Sequence, residues 1–181
     1  MRLRAWLVMT TVGLGGCGSS QGAQKKDAAP AGSPEQCFTG TLVSTLPDGT
    51  PVGEAQVALV RTADDTRIRD VVTTQLPGGT PEQSVLEMKV NGESVTATGE
   101  GKGEGQALGA PGKWTVVNVR VVRVDGTRLE HETALSGNQL TVTRRLVMDD
   151  GNVLTVSEGQ LTRTAAEECA KRQAAAQTTS P

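Results

Sequence analysis

The sequence predicts an all-β fold: an antiparallel up-and-down meander that closes into a barrel of about 8–10 strands and ends in a short helix. Three observations predict it. From Phe38 to Arg163 the chain is rich in Val and Thr, residues that fit a pleated, half-buried surface. Its turn signals are short: Asn91-Gly92, Asp125-Gly126, Gly137-Asn138 and Asp149-Asp150-Gly151 join neighbouring strands as hairpins. No helical pattern of the length a parallel crossover needs lies between the strands. An open β-sandwich or a half-barrel with one solvated face is the alternative.

In chain order, residues 1–16 come first and read as an export signal. Arg2 and Arg4 give a basic start, and Ala5 to Leu14 a mostly apolar stretch, too short for a transmembrane helix. The stretch ends in Leu14-Gly15-Gly16-Cys17, which resembles the lipobox of bacterial lipoproteins. That resemblance implies lipidation of Cys17, cleavage before it, and anchoring in a membrane through acyl chains. Gly18 stands where an Asp tends to retain such proteins at the inner membrane, so the resemblance points to the outer membrane. An ordinary signal peptide with an incidental Cys is the alternative. Without Arg2 and Arg4, 16 of the 18 basic residues face 20 acidic ones, a net charge of −4. Anchoring is then expected from the acyl chains and not from a basic patch. Residues 17–36 carry the lipidated Cys and a Ser/Gly/Ala/Gln/Pro-rich tether with a typical reach of about 25 Å.

The barrel domain is expected over 37–164. Its strands are 38–45, 54–62, 66–75, 84–90, 93–99, a short one at 106–109, 114–124, 127–135, 140–148 and 152–162. Turn geometry fixes their register. A two-residue turn at Asn91-Gly92 sets Met88 against Val95 and Leu86 against Ala97. The turn at Gly137-Asn138 sets Leu135 against Leu140, Thr133 against Val142, and Leu129 against Leu146. The turn at Asp125-Gly126 sets Val122 against Leu129. A β-bulge near Val121-Val122 then brings Val117 against Leu135 and Val119 against Thr133. A three-residue loop at Asp149-Asp150-Gly151 sets Leu146 against Leu154.

Thr164-Ala165-Ala166-Glu167 is a capping-box pattern, and Ala165 to Ala176 a good helix former. Residues 165–181 are therefore read as a C-terminal helix with a frayed end. Meandering strands followed by a helix resemble the lipocalin-like (calycin) barrels over roughly 38–176. Phe38-Thr39-Gly40 stands where lipocalins carry Gly-x-Trp.

With Cys17 assigned to lipid, Cys37 and Cys169 remain, one at each end of the domain. In an oxidising envelope they pair as a disulfide worth about 4–5 kcal/mol by loop-closure entropy. Two separate thiols are the alternative.

One candidate site follows from the register. His131 falls directly across from Arg144 on the apolar face, and Val156 faces Arg144 from the next strand. Glu158 then lies one diagonal step away on that same face. A buried Arg needs a partner, and Glu158 is available. Arg144 should keep His131 neutral. The three residues read as a ligand-binding site for an anionic head group, or as a structural pair closing a filled barrel. Fatty-acid-binding barrels, which the meander resembles, use interior Arg residues for such head groups.

The remaining composition argues by exclusion. Aromatic residues make up 2% of the chain and His occurs once, which disfavours stacked recognition of nucleic acid and multi-His metal sites. No cofactor is called for. Six glycines between Gly99 and Gly112 fit neither a phosphate-loop nor a dinucleotide pattern, and read as a flexible loop. No Gly-x-Ser-x-Gly is present, and a triad at His131 would have Arg144 as its orienting group, so catalysis is not expected. The expected function is a lipid-anchored envelope protein binding a small apolar or amphipathic ligand. The alternative is a filled barrel that contacts envelope proteins.

Overall fold

The computed structural model describes residues 35–99 and 101–177, with side chains as far as residue 174. The expected export signal, Cys17 and nearly all of the tether lie outside the described residues. Ten strands follow one another: β1 (Gln36–Thr45), β2 (Pro51–Ala63), β3 (Arg67–Gln75), β4 (Glu82–Asn91), β5 (Ser94–Gly99), β6 (Gly101–Ala110), β7 (Lys113–Arg123), β8 (Arg128–Ser136), β9 (Gln139–Val147) and β10 (Val153–Thr164). Each pairs antiparallel with its neighbours, and β1 pairs with β10, so the meander closes into a barrel. The open sandwich is thereby set aside. One helix, α1 (Ala166–Gln177), follows.

An up-and-down barrel sends its hairpins alternately to two ends. The β2–β3, β4–β5, β6–β7 and β8–β9 turns share one end, here the base, with the start of β1. The other five turns form the mouth. At the base the inner face is packed. Phe38, Leu59, Leu140 and Leu161 are buried together, with Leu135 against them. Trp114 and Val117 bury beside Ile68 and Ala107. The Trp114 indole N–H donates to the Asp64 carbonyl at 3.2 Å, so its one polar atom is satisfied where the ring is buried. The Arg163 guanidinium lies over the Phe38 ring, 5.5 Å from its centroid. The two aromatic residues of the described chain thus close the base.

Helix α1 covers the outer face of the early strands. Ala58, Val60 and Val71 point outward and are nevertheless buried, with Val85 packed against them, because the helix lies on them. The disulfide between Cys37 and Cys169 joins β1 to α1.

Register shows where short-range turn chemistry decides. The β8–β9 hairpin has the expected pairs: Leu135 with Leu140, Thr133 with Val142, and Leu129 with Leu146. The β4–β5 hairpin differs: Met88 pairs with Ala97 and Val90 with Val95. Gly92, at φ +64°, takes the first central position of the turn, so Asn91 pairs with Ser94 instead of entering the turn. No bulge interrupts the β7–β8 ladder: Val117 pairs with Thr133, Val119 with His131 and Val121 with Leu129. The odd residue sits in the turn. Arg123 N–H donates to the Thr127 carbonyl at 2.8 Å around a three-residue loop, with Gly126 at φ +84°.

The glycine-rich stretch is not a loop. It forms most of β6, a ten-residue strand whose glycines face inward and whose Lys102, Glu104 and Gln106 face out. A Cβ on Gly105 would run into the Asn118 carbonyl oxygen, and one on Gly103 into that of Arg120. The β7 backbone comes close to this row, and only glycine admits the approach.

Candidate functional site

Three inner-face positions that alternation would fill with aliphatic residues carry charge instead. In β2 the inner row reads Val57, Leu59, Arg61; in β3 it reads Ile68, Asp70, Val72. Arg61 and Asp70 pair directly across the two strands. The guanidinium grips the carboxylate with two bonds, Nε to Oδ1 at 2.8 Å and Nη2 to Oδ2 at 2.7 Å. Nη2 also donates to Thr133 Oγ1 at 2.8 Å on the facing strand β8. Both charges are fully enclosed. Burial alone would pull the Arg61 pKa down, but the Asp70 charge and hydrogen bonds more than offset it, and the guanidinium is held raised. Such a pair is strongly coupled: removing one partner strands a buried charge, at a cost of about 3–5 kcal/mol.

The third charged position is Arg144 on β9. It stands across from His131 on β8, and its Nε donates to His131 Nδ1 at 3.4 Å. The imidazole is fully buried, and its pKa is pushed down to about 3 by burial first, then by the Arg144 charge, with Asp70 opposing. It is therefore neutral. Because Nδ1 accepts, the remaining proton resides on Nε2. Among the described residues no acceptor meets His131 Nε2 or Arg61 Nη1. Both donors lie in the barrel interior, and both Arg61 and Asp70 act on His131 through their charges.

Glu158 does not join this group. The β9–β10 ladder shifts between Val153 and Thr155, and that places Ser157, not Val156, opposite Arg144. Leu146 consequently faces Thr155 rather than Leu154. One residue of slip reverses the faces, so Glu158 points outward and is exposed. Ser157 takes the inner position and shares a 2.8 Å hydrogen bond with Ser44 of β1. The Arg144–Glu158 pairing expected from the sequence is thus corrected.

Arg144 lines an open cleft of about 680 Å³ at the mouth, with Thr74, Ser84, Gly99 and Arg123 around it and Glu82 on its wall. The strand ends position these groups, because each lies where a strand runs into a mouth hairpin or leaves one. A second, smaller cavity of about 250 Å³ lies between α1 and the barrel, beside the disulfide. Two arginines, Arg123 and Arg144, line the mouth cleft, and the neutral His131 accepts from Arg144 across the β8–β9 ladder.

The sequence reading placed His131 and Arg144 together and missed Arg61, Asp70 and Thr133. The signal was present. Arg61 and Asp70 each break an apolar inner row, with opposite charge, on consecutive strands.

No protein-family model matches the chain, and no curated protein sequence matches it. Among solved structures it is similar to the bifunctional dehydratase-cyclase domain in ambruticin biosynthesis, at 13% sequence identity and a TM-score of 0.22, covering 78% of this chain and 79% of that one. That neighbour is an enzyme domain, so the sequence-based exclusion of catalysis is withdrawn. A likeness of this size assigns no activity to this chain.

Proposed function

We propose that the chain is a lipid-anchored lipoprotein of a bacterial envelope, most plainly of the outer membrane, whose barrel mouth holds the head group of a small amphipathic anion. Leu14-Gly15-Gly16-Cys17 supports the anchor, and the disulfide between Cys37 and Cys169 suits an oxidising compartment. The observation that carries the binding reading is the mouth cleft, where Arg144 is steadied by His131 and Arg123 stands beside it. Arginine suits carboxylate or phosphate oxygens because its planar fork offers paired donors.

The test uses the full chain held in lipid nanodiscs and titrated calorimetrically with octanoate, with octanol as the uncharged comparison. Octanoate should bind more tightly than octanol, and Arg144→Ala should weaken it by about 10- to 100-fold, the size of a charge-assisted hydrogen bond. Equal affinity of wild type and Arg144→Ala would sink the binding reading. The anchor has its own test: metabolic palmitate labelling should vanish in Cys17→Ser, and label that persists there removes the lipobox assignment.

A second reading has one observation in its favour. The base half of the interior is packed by Phe38, Trp114 and aliphatic side chains. A filled barrel would act through its outer surface on an envelope protein, and it would bind neither octanoate nor octanol.

A further inference from the structure

Exposed aliphatic side chains are not spread evenly over this barrel. Leu46, Leu76, Val124 and Met148 stand at the tips of four of the five mouth hairpins, and Val52 and Leu154 follow just past two of them. At the base, among the described residues, only Leu108 is comparably exposed. The tips repeat one design: Leu46-Pro47-Asp48-Gly49, Leu76-Pro77-Gly78-Gly79, Val124-Asp125-Gly126 and Met148-Asp149-Asp150-Gly151. The glycine and the acid serve the turn. Gly49, Gly79 and Gly151 N–H groups donate back to the carbonyls of Leu46, Leu76 and Met148. Asp48, Asp125 and Asp150 accept the backbone N–H groups of Thr50, Thr127 and Asn152. Nothing in the turn calls for the aliphatic residue, and Val124 is 100% exposed.

We propose that this fringe sets the mouth end onto a lipid surface whose head groups carry ammonium cations. The four tips stand on separate hairpins, each followed by polar or glycine turn residues, and Val43 and Val122 add exposed aliphatic surface at the adjoining strand ends. They hold no aromatic or arginine anchor of the kind that dominates protein interfaces. A fluid surface closes around separate side chains and buries each one. Charge selects the lipid. Carboxylates stand beside the aliphatic tips at Asp48, Asp125, Asp149 and Asp150, whereas Arg144 and Arg123 line the cleft between them. The Thr50 N–H holds Asp48 below the usual carboxylate range, and the Thr127 hydroxyl and N–H do the same for Asp125. Ionised tips favour ammonium head groups and oppose anionic lipid.

The chain enters the barrel at the base, so reach matters. From Cys17 to Glu35 the chain can span at most about 60 Å. A ten-residue strand runs only about 33 Å. An anchor at Cys17 therefore allows the mouth to come down on the membrane that holds the anchor. The proposal rests on the anchored reading for this proximity alone.

Depth-resolved quenching tests it. The full chain, in a Trp6→Phe background, is reconstituted into phosphatidylethanolamine/phosphatidylcholine vesicles with brominated acyl chains. Tryptophan is placed at Val124→Trp or Leu76→Trp, and at the exposed base hairpin in Asn138→Trp; buried Trp114 is a constant background. Quenching at both tips should be about twofold or more that at the base. Equal quenching at tips and base overturns the proposal. So does a tip emission that shifts to the blue without quenching, which would mean that a second copy or another protein covers the fringe. Replacing phosphatidylethanolamine by phosphatidylglycerol should reduce tip quenching, and an unchanged signal overturns the head-group assignment. Flotation with the vesicles reads the anchor and quenching reads the fringe, so the two can fail separately.

Discussion

The base and the mouth of this barrel are made by the same chain reversing direction, yet they differ in almost every material. At the base, Phe38 and Trp114 are buried, a disulfide ties β1 to α1, and among the described residues only Leu108 is an exposed large aliphatic. At the mouth the inner face turns charged and hydroxylic, the cleft opens, and aliphatic side chains stand in solvent. The arrangement inverts the usual rule at one end only. The base supplies stability, and that allows the mouth to keep surface that contributes nothing to it.

Three substitutions probe this division, in descending order of effect. Phe38→Ala removes the largest side chain of the cluster it forms with Leu59, Leu140 and Leu161 and should cost about 3–5 kcal/mol by chemical denaturation. A loss near zero would mean that the base is not where the fold is held. The middle layer is probed by pH. His131 titrates near 6.5 when exposed and near 3 when folded. Between those values the unfolded chain binds a proton that the folded chain refuses, so stability falls as pH drops. Its slope is about 1.4 kcal/mol per pH unit, and above pH 6.5 this group contributes no slope. His131→Asn should remove that component from the wild-type profile, and identical profiles would refute the buried neutral histidine. At the mouth, Val124→Ser should change stability by less than about 0.5 kcal/mol, because the side chain touches nothing in the folded domain. A larger loss would show that the fringe packs against the barrel itself.

Much of the fold was legible because the strand period is two and the turns are short. The β8–β9 hairpin was readable to the residue, since its two-residue turn leaves one register. The neighbouring β7–β8 hairpin was misplaced because Asp125-Gly126 serves a three-residue loop with Val124. Val124 was counted as the end of the strand, and a bulge near Val121-Val122 was then needed to restore the apolar faces. The β9–β10 turn was placed correctly, but the shift beside Leu154 lies beyond any turn signature, and it moved Glu158 to the outside. The β6 glycines were hidden for another reason. Where the β7 backbone comes this close the inner residue must be small, so the inward row of Gly101, Gly103 and Gly105 carries no hydrophobic signal. The outward row of Lys102, Glu104 and Gln106 did mark the period. The candidate site was half legible. His131 and Arg144 are near neighbours across a readable hairpin, whereas joining Arg61 to Thr133 required knowing that β2 faces β8 across a closed interior.

Closure by the β1–β10 pair joins the two ends of the barrel domain in sequence. In chain order β1 comes first, and one of its partners, β2, follows within a few residues. Its other edge is covered only by β10, more than a hundred residues further along the chain. Without β10 the nine earlier strands could form only an open sheet with two unpaired edges, the form most prone to pairing with other chains. The last strand and the helix that follows it therefore finish the whole domain together, and a chain truncated before Val153 would lack both the final seam and the disulfide. Barrel formation is by this geometry a late, long-range and slow event.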